Sequence, residues 1–126
     1  MNAYLLVSGV LAILMGLAHS LIGEWLILRP LRSEGLPAVR GSGRHTKSTL
    51  RFTWHVTSVL GFGTAAILLY FARQPSFDPG AVFVLRALSV SYFICFGVSI
   101  VGSRARHPSW LVFLVIALLT WLSTSP

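Results

Sequence analysis

Five side chains in this sequence have types and positions that could do chemistry: His19, Glu24, Arg51, His55 and His107. An imidazole can pass a proton or ligate a metal. A carboxylate can hold a proton or a cation, and a guanidinium can neutralise a carboxylate through two parallel hydrogen bonds. Each of the five lies within or beside an apolar run, where an unpaired ionisable group is costly and its presence needs a reason. His19 and Glu24 precede Arg29, the first cation after the opening apolar run, by distances that place them about 15 Å and about 8 Å inside it at ~1.5 Å per helical residue. Arg51, His55, Ser58 and Phe62 step by four, three and four along one side of a second helix. In an antiparallel hairpin this brings Glu24 to about the level of Arg51 and His55.

That constellation admits three chemistries. Glu24 can form an ion pair with Arg51 and His55 that holds two helices together. It can act as a proton or cation site. Alternatively, histidines on facing helices can hold haem b, or histidine with glutamate can hold iron, zinc or copper. His19 and His55 differ by roughly two turns in expected depth, which disfavours a shared haem. The sequence has no Cys-x-x-Cys-His, so covalent c-type haem is excluded. It has no HExxH, no GxSxG and no glycine-rich phosphate loop, so the familiar enzyme motifs are missing. His107 stands before Pro108 at the same end, and His45 lies among loop charges.

The elements that must carry these residues are apolar helices. The hydrophobic fraction is 55% and the charged fraction 10%, against about 25% charged in a soluble domain, so lipid is the expected solvent for most of the chain. Four apolar runs can be cut, at about 3–28, 50–72, 80–102 and 108–124. The first three exceed the ~20 residues that span a hydrocarbon core of ~30 Å, and the fourth is at the short limit. The expected fold is an all-α integral membrane four-helix bundle, a single membrane domain over 1–126. The first run lacks a preceding Lys or Arg and is too long for a signal-peptide core, so it is expected to stay in the mature protein.

A net charge of +7 raises the question of nucleic acid, but the charges sit between apolar runs rather than on a soluble basic face. Arg29, Arg32, Arg40, Arg44, Lys47, Arg51, Arg104 and Arg106, eight of the ten cations, share one face of the expected bundle. The positive-inside rule makes that face cytoplasmic and both termini periplasmic in a bacterial inner membrane. The expected partners are the bilayer, its anionic headgroups, and a second copy or another membrane protein. The segment Pro30 to Lys47, about 29–49 in all, reads as a cytoplasmic loop from its prolines, glycines and charges, with Ser48 and Thr49 able to cap the second helix. Asp78 before Pro79 reads as a cap with proline in the first turn of the third helix. Both hairpins then show His with Trp, at Trp54-His55 and at His107 with Trp110, a weak internal echo.

Gly9, Gly16 and Gly23 recur every seven residues and offer a face for close helix approach. Ser89, Tyr92, Phe96, Ser99 and Ser103 form a mildly polar stripe that suits a bundle interior. One of these two faces is expected to stay free for association. Arg86 is expected to reach outward to a polar boundary. Trp25, Trp54, Trp110 and Trp121 read as interfacial anchors, and Cys95 as a buried, inert thiol.

The segments Ala18-His19-Ser20-Leu21-Ile22-Gly23-Glu24 and Leu50-Arg51-Phe52-Thr53-Trp54-His55-Val56-Thr57-Ser58 resemble those of small uncharacterised bacterial four-span inner-membrane proteins. That resemblance implies a fold and no activity. In size and span number the chain also resembles small multidrug transporters, but it lacks their motif around Glu24 and its basic loop is long. Three functional classes follow. A structural or accessory membrane protein asks least of the sequence and involves neither catalysis nor a cofactor. The alternatives are a dimeric transporter or channel subunit with Glu24 as its ion site, and a protein binding a metal ion or haem b.

Overall fold

The computed structural model of the chain describes residues 1–38 and 41–125. Among these residues the chain is all-helical, with no strand. Helix α1 (Ala3–Gly23) runs without a break into a wider turn, Glu24–Leu28. Helices α2 (Gly43–Ala72), α3 (Pro79–Gly102) and α4 (Ser109–Leu122) follow. Side chains supply the backbone N–H groups at each start with acceptors. Asn2 accepts from Leu5 at 3.2 Å, Ser42 from Arg44 at 3.2 Å, Asp78 from Ala81 at 2.7 Å, and the His107 ring from Ser109 at 3.2 Å.

Asp78-Pro79 therefore starts α3 as its sequence indicates. The start of α2 differs from the expected one: it lies at Gly43 rather than near Leu50, and Ser42 caps it instead of Ser48 or Thr49. Hydropathy marks where a helix becomes apolar, not where it begins. The polar first turns of α2 are tied to the preceding connection, with Thr46 donating to the Pro37 carbonyl (2.6 Å) and Lys47 to the Leu31 carbonyl (2.5 Å). The expected loop is thus helical from Gly43 onward and contains a short 3₁₀ turn, Ser33–Gly35. Arg40 lies outside the described residues.

Three segments are long and apolar enough to cross a membrane: Ala3–Leu28, Gly43–Ala72 and Pro79–Gly102, of 26, 30 and 24 residues. The expectation of four such helices is corrected by α4, whose 14 residues give a length of only about 21 Å. Its apolar run loses residues at both ends. Pro108 stays outside the helix, and the Ser123 and Thr124 hydroxyls turn back onto the Thr120 and Trp121 carbonyls.

Helix α1 lies antiparallel to α2, and α3 antiparallel to α4. The two hairpins meet through α1 and α4, giving the spatial order α2, α1, α4, α3. Contact between α2 and α3 is sparse, and the Thr64 hydroxyl bonded to Tyr92 at 2.7 Å bridges them. The core is built from Leu5, Ala12, Ala65, Leu68, Ala72, Leu85 and Ile116. The polar stripe of α3 faces inward as its pattern indicates. Ser89 donates to the Ala117 carbonyl (2.7 Å), Ser99 bonds Ser109 (2.6 Å), and the Phe96 ring lies 6.4 Å from that of Trp110.

The seven-residue glycine repeat of α1 is filled from within the chain. A Cβ on Gly9 would fall 2.7 Å from Leu69, one on Gly16 would fall 2.7 Å from Phe62, and one on Gly23 would overlap the Trp54 indole. Three large side chains of α2 thus sit in three notches of α1. This corrects two expectations: with the α3 stripe also turned inward, neither of the two faces stays free for association, and Trp54 is an internal packing residue rather than an interfacial anchor. Cys95, expected buried, is exposed on α3.

This seam predicts an order of sensitivity. Gly16→Ala and Gly23→Ala should each lower stability by about 1–3 kcal/mol through overpacking, the latter more because its partner ring is held in place. Gly97→Ala on α3 meets nothing within 4 Å and should be neutral or better. Thermal unfolding in mild detergent measures all three, and Phe62→Leu should partly rescue Gly16→Ala.

Candidate functional site

The site forms where α1 gives way to its wider turn. The Arg29 N–H reaches back five residues to the Glu24 carbonyl at 2.8 Å, the hydrogen-bond repeat of a π turn. Single π turns inside helices recur at functional sites. Gly23 and Leu28, five residues apart, are both buried, as that repeat requires if the chain is to keep one side against α2. At the first residue of this turn, Glu24 meets the first apolar turns of α2.

Both oxygens of its carboxylate are engaged. Arg51 approaches with both ends of its fork, with Nη2 donating to Oε1 and Nε donating to Oε2 at 3.0 Å. The His55 ring adds a third contact, Nε2 to Oε2 at 3.3 Å. On the other side of that ring, Nδ1 lies 2.8 Å from the Ser20 hydroxyl. An ionised carboxylate accepts only, so His55 Nε2 carries the hydrogen. Nδ1 is then free to accept from Ser20. A neutral imidazole therefore satisfies the whole chain, Ser20 to His55 to Glu24, with Arg51 balancing the charge. The Glu24 side chain is 19% exposed and that of Arg51 56%, so the carboxylate is sheltered while the guanidinium reaches the boundary.

His19 stands beside this network without joining it. Its ring lies flat on Trp54, with centroids 4.4 Å apart and planes at 2°. Its backbone carbonyl accepts from Trp54 Nε1 at 2.8 Å. His107 is exposed in the α3–α4 connection, where its Nδ1 bonds Ser109. Of the five residues singled out in the sequence, Glu24, Arg51 and His55 come together, His19 packs next to them, and His107 serves α4 instead. Sequence reasoning missed Ser20 and Trp54 as members. Ser20 is on the same polar half of α1 as Glu24, and Gly23 in a repeat of notches signals a large partner such as Trp54.

Among the described residues no three His, Cys, Asp or Glu side chains are grouped to hold a metal ion. Both His55 ring nitrogens have partners within the chain, and the His19 ring is stacked face-on against Trp54. No family model matches the chain, and no curated protein or solved structure matches it.

The closed network makes a sharp prediction about its two charges. Arg51→Leu strands a sheltered carboxylate and should cost about 2 kcal/mol, in the range of hydrogen bonds to charged groups, whereas Glu24→Gln keeps an acceptor and should cost roughly half that. The double variant should lose less than the sum of the singles. Unfolding of the four proteins in one detergent checks the cycle, and additive losses would mean that the two residues do not act as a pair.

Proposed function

We propose that this protein is a small integral membrane protein of structural or accessory type, in which Glu24, Arg51 and His55 fasten the α1–α2 hairpin and carry out no reaction. The observation that carries this reading is the engagement of both Glu24 oxygens by α2. Its two oxygens take three hydrogen bonds from two residues of the neighbouring helix, so an exchanging proton or cation must compete with Arg51 and His55 in the resting arrangement. A transport role would require Arg51 to leave, and an unpaired carboxylate at that depth is costly.

Residence in lipid is supported by the outer surface. Leu21, Trp25, Leu26, Phe52, Val59, Leu60, Phe83, Val98 and Val101 all point outward, a continuous apolar exterior that water would disfavour. The basic end is cytoplasmic in this reading, which puts both termini on the opposite side of a plasma membrane of bacterial type. This reading gives the short α4 the fourth crossing, with local thinning of the bilayer taking up the mismatch of its 14 residues. Contacts with another membrane protein fall to outward faces other than the α1 glycines.

Topology reporters active only outside the cytoplasm test the frame. Fused ahead of Met1 and after Pro126 they should both be on, and within Gly35–Gly43 off. Opposite signals at the two ends would mean three crossings and a non-spanning α4. For the chemistry, Glu24→Gln and His55→Ala should lower stability without altering the metal content or visible spectrum of the purified protein. Loss of a stoichiometric metal or an absorption band from either variant, with folding intact, would replace the accessory reading with a cofactor one.

A further inference from the structure

At the end of the bundle opposite Glu24, a cation stands inside an apolar helix without a counter-charge among the described residues. Arg86 lies in the second turn of α3. Its guanidinium sits 4.8 Å over the Trp121 ring, and its Nε reaches the Thr124 hydroxyl at 3.4 Å. Both ion pairs among the described residues belong to Glu24, and Asp78 directs its side-chain oxygen to the Ala81 N–H. The remaining Arg86 donors have no partner among the described residues, and its side chain is exposed.

A groove of about 320 Å³ runs along the α3–α4 hairpin from this point, lined by Ser89, Val90, Phe93, Ala117, Leu118 and Trp121. Its surface is apolar, because Ser89 is buried and gives its hydroxyl to the Ala117 carbonyl. Trp121 belongs to both features: one ring carries the cation and walls the groove. The groove starts at the charged boundary and leads toward Phe93, deeper along α3.

We infer that this groove binds one acidic phospholipid, with its phosphate on Arg86 and one acyl chain lying between α3 and α4. The forked guanidinium offers several N–H donors to phosphate oxygens, a match that a lysine makes only as a point charge. The stacked Trp121 and the Thr124 hydroxyl hold that fork in place, so less freedom is lost on binding. An apolar chain hanging from a headgroup at Arg86 follows the direction of the groove. This goes beyond the accessory reading and needs only that the chain resides in lipid.

The test is lipid retention by native mass spectrometry of the full chain purified in mild detergent, with equimolar dioleoylphosphatidylglycerol and dioleoylphosphatidylcholine. The anionic lipid should be retained about fivefold over the zwitterionic one, the effect of one cation near an anionic headgroup. Arg86→Gln should erase that preference and Arg86→Lys should keep part of it. Val90→Trp, which fills the groove from an exposed position, should reduce retention of both lipids. Inorganic phosphate should not displace bound lipid. An unchanged preference in Arg86→Gln overturns the inference, as does a preference removed instead by Arg104→Gln with Arg106→Gln, or full displacement by phosphate. If Arg86→Gln does not elute as a single species, Val90→Trp decides alone: unchanged retention of both lipids refutes the site.

Discussion

The close approach of α1 and α2 is the constraint on which the rest of the structure rests. In the lipid setting proposed above, apolar side chains gain nothing from leaving the solvent, so helices associate through van der Waals contact and hydrogen bonds rather than a hydrophobic drive. Gly9, Gly16 and Gly23 let Leu69, Phe62 and Trp54 sit directly against the α1 backbone. That proximity allows Trp54 Nε1 to reach the His19 carbonyl and the Ser20 hydroxyl to reach His55. It also brings the Asn2 N–H within 2.8 Å of the Ala72 carbonyl at the far end. Side chains at the glycine positions would separate the helices and break these bonds together.

A repeat of seven carries an ambiguity that the polar residues resolve. Slipping α2 by one repeat would bring Gly16 to Leu69 and Gly23 to Phe62, leaving an apolar seam still largely filled. In that register Glu24 would face the neighbourhood of Ser58, and Arg51 would lose its partner. A sheltered ion pair contributes little net stability, but its use in fixing register is the best attested of its roles. Glu24, Arg51 and His55 on this account select one of several near-equivalent packings. The π turn at Glu24 serves the same end, since it lets Leu28 follow Gly23 onto the buried side.

Much of this was legible in the sequence, for reasons that particular residues make clear. The spacing of Arg51 and His55, and the depth of Glu24 from Arg29, were enough to bring those three together, because helical rise and antiparallel pairing are nearly rigid. The glycine repeat announced a seam but not its partner, and only the hairpin register shows that α2 fills it. The start of α2 is not legible from hydropathy, because Gly43 to Thr49 is polar yet helical. His107 shares only the end of the bundle with the cluster, a coordinate along the helices that says nothing about position around them. The order α2, α1, α4, α3 is of the same kind: it depends on which helix faces meet, and periodicity alone cannot rank them.

The two hairpins are held by different means, and the difference follows from where the charges lie. The α1–α2 pair has glycine notches and an ion pair, so its register and spacing are both fixed. The α3–α4 pair has no glycine seam. Its ties are hydroxyl bonds, Ser89 to Ala117 and Ser99 to Ser109, with Arg86 and Thr124 closing the far end. Serine and threonine bonds between apolar helices contribute about 0.6 kcal/mol each on average, and they leave side-chain volume rather than backbone to fill the space between. A groove beside α4 is the natural result of that looser fit. The tightly notched hairpin carries the paired charges, and the looser one carries Arg86, without an ion-pair partner among the described residues, beside open apolar space.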